Sequence, residues 1–83
     1  MTHIIQSLDP ATTCAEDIFA LGMEYCMGKI VPQDYVTAHK WFNIAALKGN
    51  ENAKLYRCEI SREMSPSQIA EAQRQARAAI TLH

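Results

Sequence analysis

The chain has 83 residues, a mass of 9.3 kDa and a formal charge of −1, which predicts a single small domain spanning residues 1–83. Eight Lys and Arg residues against nine Asp and Glu residues lack the basic excess that is typical of nucleic-acid-binding proteins. No apolar run approaches the ~18 residues that a membrane span requires, and the start of the chain lacks the pattern of a secretory signal. We therefore expect a folded cytoplasmic protein that neither crosses a membrane nor binds nucleic acid.

The cysteines and histidines predict no metal, cofactor or catalytic site. Without a secretory signal, an odd number of cysteines favours reduced thiols over disulfides: Cys14, Cys26 and Cys58. None of them has a Cys or His partner at the spacing of a zinc or redox motif. His3 and His83 are terminal and His39 falls among polar residues, so we expect all three at the surface. Because no nucleophile or Gly-rich phosphate loop is recognisable either, we expect no enzyme activity.

The first helix is predicted from about Cys14 to Met27 and ends at Gly28. Thr13 and Glu16 have the spacing of a capping box at its start. An earlier start at Asp9-Pro10 is an alternative, since Asp caps helices and Pro suits the first turn. The apolar periodicity predicts a core face made of Ile18, Leu21, Gly22 and Tyr25.

The second helix is predicted from about Tyr35 to Lys48, capped by Asp34 and closed by Gly49. It is apolar around most of its circumference, so we expect neighbouring helices on at least two sides. A turn at Gly49-Asn50 leads into a third helix, about Glu51 to Met64. Such a short turn predicts that these two helices fold back on each other as an antiparallel pair. The inward face of the third helix is predicted to contain Ala53, Tyr56, Ile60 and Met64.

The fourth helix is predicted from Pro66 to about Thr81, with Ser65 and Gln68 as its capping box. Four of its residues are expected to face inward: Ile69, Ala72, Ala76 and Ile80. Three others are expected to face water: Gln73, Arg74 and Arg77. The predicted fold is therefore all-α, with two stacked antiparallel helical hairpins.

An ordered set of residues between positions 15 and 53 matches a known helical repeat: Ala15, Leu21-Gly22, Tyr25, Gly28, Val31-Pro32-Gln33-Asp34, Ala38, Trp41-Phe42, Ala45-Ala46, Gly49 and Ala53. This pattern resembles a full Sel-one-like repeat, a relative of the tetratricopeptide repeat. Residues 53–80 resemble the degenerate final repeat that ends such arrays in bacterial proteins. The resemblance implies a short superhelix with an N-terminal segment at 1–13, a full repeat at 14–48 and a capping repeat at 51–81.

The resemblance also assigns packing roles to small and large residues. Gly22 is expected to let the two helices of the first hairpin approach closely, with Ala38 and Ala45 opposite. Trp41 is expected to fill the space between the hairpins. Ile30 stands where the family usually has Gly, and Phe42 replaces a Tyr.

A stripe on the first helix is the candidate binding site. Its apolar residues are spaced four apart and flanked by two carboxylates: Phe19, Met23, Met27, Glu16 and Glu24. A Met-rich stripe flanked by carboxylates is suited to bind a partner helix that carries basic residues. Alternatively, the stripe packs within the molecule, either on the third helix around Leu55 or Cys58, or beneath Ile4, Ile5 and Leu8.

The family resemblance implies a non-catalytic adaptor or regulator that binds a partner protein or helical peptide through its first helix. A chaperone-like or inhibitory subunit for one client protein is an alternative. A nucleic-acid-associated protein has only the five cations of residues 29–58 in its favour. Because about three repeats are usually needed to bury a continuous core, a homodimer is also open.

Overall fold

The computed structural model describes residues 9, 10 and 12–81, which form four helices and no strand. The helices are α1 (Ala15–Met27), α2 (Tyr35–Leu47), α3 (Glu51–Ser61) and α4 (Pro66–Thr81). Helix α2 packs against each of the other three, and α4 packs mainly on α2. The predicted all-α class is confirmed, and the packing agrees with two stacked helical hairpins. The predicted positions Ile4, Ile5, Leu8, His3 and His83 lie outside the described residues.

The start of α1 differs from the predicted capping box. Cys14 occupies the N-cap position, and its side chain makes no capping hydrogen bond. The Thr13 hydroxyl instead donates to the Asp9 carbonyl at 2.7 Å, and the backbone N–H groups of Thr12 and Thr13 bond to the same carbonyl. The predicted Thr13 cap is therefore wrong, because a turn at Asp9 engages that hydroxyl. Helix α1 ends at Met27 as predicted, followed by Gly28 at φ 73°.

Side-chain caps begin the other three helices. The Asp34 carboxylate accepts a hydrogen bond from the Thr37 backbone at 3.2 Å, and the Asn50 side chain accepts one from Ala53 at 2.8 Å. At α4, Gln68 N–H donates to the Ser65 hydroxyl at 3.2 Å, and Ser65 N–H donates to the Gln68 side chain at 2.9 Å. The predicted caps of α2 and α4 are thus confirmed.

Two helices are shorter than their patterns predict. Helix α2 ends at Leu47, with Lys48 as its C-cap. Helix α3 ends at Ser61 rather than Met64, because the N–H groups of Arg62, Glu63 and Met64 bond to carbonyls three residues back. These bonds tighten the chain into a turn, and Met64 nevertheless remains buried.

The core is centred on α2, as its broad apolar surface predicts. Its buried residues lie on most sides of the helix: Ala38, His39, Trp41, Phe42, Ile44, Ala45 and Ala46. The close approach expected at Gly22 involves the Phe42 ring, whose Cε1 would lie 2.6 Å from a Cβ at Gly22. Ile80 was expected inside but is 42% exposed. The 16-residue α4 packs on the 13-residue α2, which leaves its last turn without a full set of neighbours.

Candidate partner-binding site

The predicted stripe on α1 divides into a buried part and an exposed part. The Phe19 ring lies 5.7 Å from the Phe42 ring and 5.6 Å from the Tyr56 ring, measured between centroids. Met23 is partly buried against the core, whereas Met27 is 50% exposed. Phe19 therefore packs on α3 at Tyr56, whereas the intramolecular alternative expected contact around Leu55 or Cys58, and Met27 stays available at the surface.

The carboxylates of α1 give this side of the molecule a negative charge. Glu16 and Asp17 are exposed, and Glu24 is partly buried. No Lys or Arg occurs within α1. Two of these acids lie in the first turn, where they also complement the helix dipole. Every charged side chain on α1 is therefore negative.

A groove of about 570 Å³ lies beside α1, and α3 supplies most of its wall. Its lining residues come from three helices and the turn after α3: Cys26, Tyr35, Leu55, Tyr56, Glu59, Ile60 and Glu63. Leu55 is 65% exposed and Tyr56 is 40% exposed. Burial raises the pKa of the Cys26 thiol above its ordinary value, so this lining side chain carries no charge near neutral pH.

Among the residues that the structure describes, the charged ones lining the groove are Glu59 and Glu63. Glu59 lies 3.6 Å from Arg62, but both side chains are about two-thirds exposed at 66% and 67%. An ion pair this exposed to water contributes little to stability, and the Glu59 carboxylate remains accessible. The groove is therefore apolar on its floor and acidic at its rim.

The sequence pattern did not indicate the contribution of α3. Leu55 and Glu59 are four residues apart on one face of α3, and Glu63 follows at the same spacing in the turn after the helix. A mixed apolar and acidic face of this kind is common on solvated helices, so it carries no separate signal of binding. The packing of Phe19 on Tyr56 is a contact between α1 and α3 that brings this face beside α1.

His39 was expected at the surface but is only 2% exposed. Its Nε2 lies 3.0 Å from the Ser61 hydroxyl, and that hydroxyl donates to the Arg57 carbonyl at 2.7 Å. Nε2–H is therefore the donor to Ser61. Desolvation, reinforced by the nearby Arg57 charge, lowers the pKa of His39. The surface prediction is wrong because α3 and α4 cover the polar side of α2.

Among residues 9, 10 and 12–81, no group of three or more His, Cys, Asp or Glu side chains could hold a metal ion. Within the same residues, no helix combines the length and apolarity needed to cross a membrane.

Comparison with known proteins gives no relative for this fold or this groove. No protein-family model, no curated protein and no solved structure matches the chain. The resemblance to Sel-one-like repeats therefore depends on the residues of this chain alone. Function has to be inferred from the groove and the charges around it.

Proposed function

We propose that this protein is a non-catalytic interaction module that binds a basic amphipathic helix of a partner protein in the groove between α1 and α3. The observation that carries this proposal is an exposed apolar surface in the groove, where the charged lining residues among those described are both carboxylates. Membership of the Sel-one-like repeats forms part of the proposal. In such arrays the first helix of each hairpin, here α1 and α3, lines the binding face.

The apolar surface around the groove supports binding of a helix. Leu55 is 65% exposed, Met27 is 50% exposed and Tyr56 is 40% exposed. Exposed apolar side chains that cluster along a groove are typical of interaction sites, and an amphipathic helix fills such a groove with anchors every three or four residues. Met27 is not a lining residue, but it follows the lining residue Cys26 at the end of α1 and adds a flexible exposed side chain.

The charges of the groove favour a basic partner over a second copy of the chain. Glu59 and Glu63 line the groove, and α1 adds the exposed carboxylate of Glu16. A symmetric dimer through this face would bring these carboxylates close to their own copies. Lys and Arg residues on a partner helix would instead neutralise them and speed association.

The proposal is tested with a labelled peptide that has Leu on one helical face and Lys on the other, followed by fluorescence anisotropy. Leu55→Ser should weaken binding roughly tenfold, or ~1.4 kcal/mol, because it removes an exposed anchor. Leu47→Ser is the matched control, since Leu47 is 71% exposed on α2 and does not line the groove. Circular dichroism establishes that both variants remain folded.

Charge is tested separately from apolar contact. Glu63→Lys should weaken peptide binding more than Glu51→Lys, because Glu51 lies at the start of α3 and does not line the groove. Equal losses from the two substitutions would show that only the overall charge matters. Absence of saturable binding by the folded wild type would contradict the proposal altogether.

A further inference from the structure

The side of α3 that faces α2 and α4 carries a second, oppositely charged site. A pocket of about 470 Å³ is lined by His39, Asn43, Lys54, Arg57, Cys58, Ser61, Ile69 and Gln73. Two of these side chains are cations and none is a carboxylate. The pocket shares no lining residue with the groove, so α3 separates an acidic site from a basic one.

Arg57 is held in place without its charge being neutralised. It is partly buried, and its Nη1 donates to the Asn43 side-chain oxygen at 2.6 Å. That acceptor is a neutral amide, and no described carboxylate forms an ion pair with Arg57. A guanidinium has five N–H donors, so the bond to Asn43 leaves further donors for a ligand.

The rest of the pocket offers donors rather than acceptors. Lys54 lies 3.5 Å from Glu51, with the two side chains 51% and 80% exposed, so water weakens this pair. The Asn43 oxygen is already occupied by Arg57, which leaves its NH₂ group to donate. Gln73 adds an exposed amide from α4. The exception is the buried His39 Nδ1, which has no hydrogen-bond partner among the described residues and becomes a donor only when the ring is protonated.

We propose that this pocket binds a phosphoryl group, with Arg57 and Lys54 supplying the charge and Asn43 and Gln73 supplying amide donors. A planar guanidinium beside a flexible ammonium suits a tetrahedral dianion. The phosphoryl group belongs either to a free phosphate compound or to a phosphorylated side chain, which share this chemistry. Two cations around one small, open pocket suit a single anionic group rather than an extended nucleic-acid backbone.

The test is a two-dimensional NMR titration of the full chain with inorganic phosphate at constant ionic strength, with sodium chloride as the reference. Saturable shifts are expected at Arg57, Asn43 and Gln73, with a dissociation constant on the order of 1 mM. A parallel titration with a phosphoserine peptide shows which source binds more tightly. The pKa of the His39 ring, followed by its own NMR signals, should rise when phosphate is bound.

Arg57→Gln should weaken phosphate binding roughly tenfold or more, because it removes a charge-assisted hydrogen bond. Arg62→Gln makes the same charge change on an exposed residue outside the pocket and should leave the affinity nearly unchanged. If Arg57→Gln fails to fold, the Lys54→Gln variant provides the test, and it should bind phosphate more weakly than the wild type. The proposal is overturned by no saturable shift, by equal losses in the Arg57 and Arg62 variants, or by an unchanged affinity in Lys54→Gln. None of these results depends on the groove.

Discussion

Replacing Gly22 by Ala tests the packing of the first hairpin. A Cβ at Gly22 would lie 2.6 Å from Phe42 Cε1 and 2.7 Å from Cδ1. Ordinary carbon contacts begin at about 3.5 Å, so the Phe42 ring would have to move by about 1 Å. That ring is fully buried, with the rings of Phe19 and Tyr56 packed beside it. It therefore has little room to move.

Two effects of opposite sign set the expected size of the change. Overpacking a core costs ~1–3 kcal/mol, and the two short contacts place Gly22→Ala in the upper part of that range. Replacing Gly by Ala in a helix stabilises the folded state by ~1 kcal/mol, because Ala has the higher helix propensity. We therefore expect the free energy of unfolding to fall by about 1–2 kcal/mol in urea denaturation.

The control separates helix propensity from packing. Ala20 is exposed on the same helix, so Ala20→Gly measures the propensity difference without a core contact. The double variant Gly22→Ala with Phe42→Leu should be less destabilised than the sum of the two single variants, since the smaller side chain makes room for the methyl group. A Gly22→Ala protein as stable as the wild type would refute the close approach of the Phe42 ring.

Three other substitutions and conditions test the core, the caps and the buried histidine. Trp41 is 8% exposed, so Trp41→Ala should lower the unfolding free energy by about 3–5 kcal/mol in urea denaturation; a loss below about 1 kcal/mol would contradict its place in the core. Cys14 has an extended backbone at the N-cap and no capping bond, so Cys14→Ser should raise the melting temperature through a gain of about 1 kcal/mol; a fall would show that the hydroxyl cannot cap. The pKa of His39 is lower in the folded protein than its ordinary value of 6.5, so the unfolded chain binds more protons below that pH. Stability should be retained above pH 6.5 and lost on acidification with a slope of up to about 1.4 kcal/mol per pH unit. His39→Gln should flatten this slope, and equal slopes would contradict the assignment.

Local signals in the sequence predicted the helices that depend on them. Asp34 begins α2 and the Ser65–Gln68 pair begins α4 as predicted, because each cap needs only residues within three positions. Thr13 failed as a cap because its hydroxyl binds Asp9, an equally local competitor that the spacing does not distinguish. Helix α3 ends at Ser61 because the next residues form a tightened turn. The apolar periodicity continues as far as Met64, so the pattern does not show where the helix ends.

Contacts between helices were less accessible to prediction. Periodicity identified the stripe on α1, but whether its residues are buried depends on which helix lies beside it. The contact of Phe19 with Tyr56 determines this, and no local pattern encodes that contact. His39 was misplaced for the same reason, since its hydroxyl partner Ser61 is distant in the sequence. The acidic groove itself arises only where α1 and α3 meet.

Reversing the charges of the groove and of its ligand together tests the central claim most directly. Anisotropy titrations would compare the wild type with the Glu59→Lys/Glu63→Lys variant, using one amphipathic peptide with Lys on its polar face and one with Glu. The wild type should bind only the Lys peptide, and the variant should prefer the Glu peptide, because the carboxylates at the rim select the partner. If the folded variant kept the wild-type preference, the groove between α1 and α3 would not be the binding site.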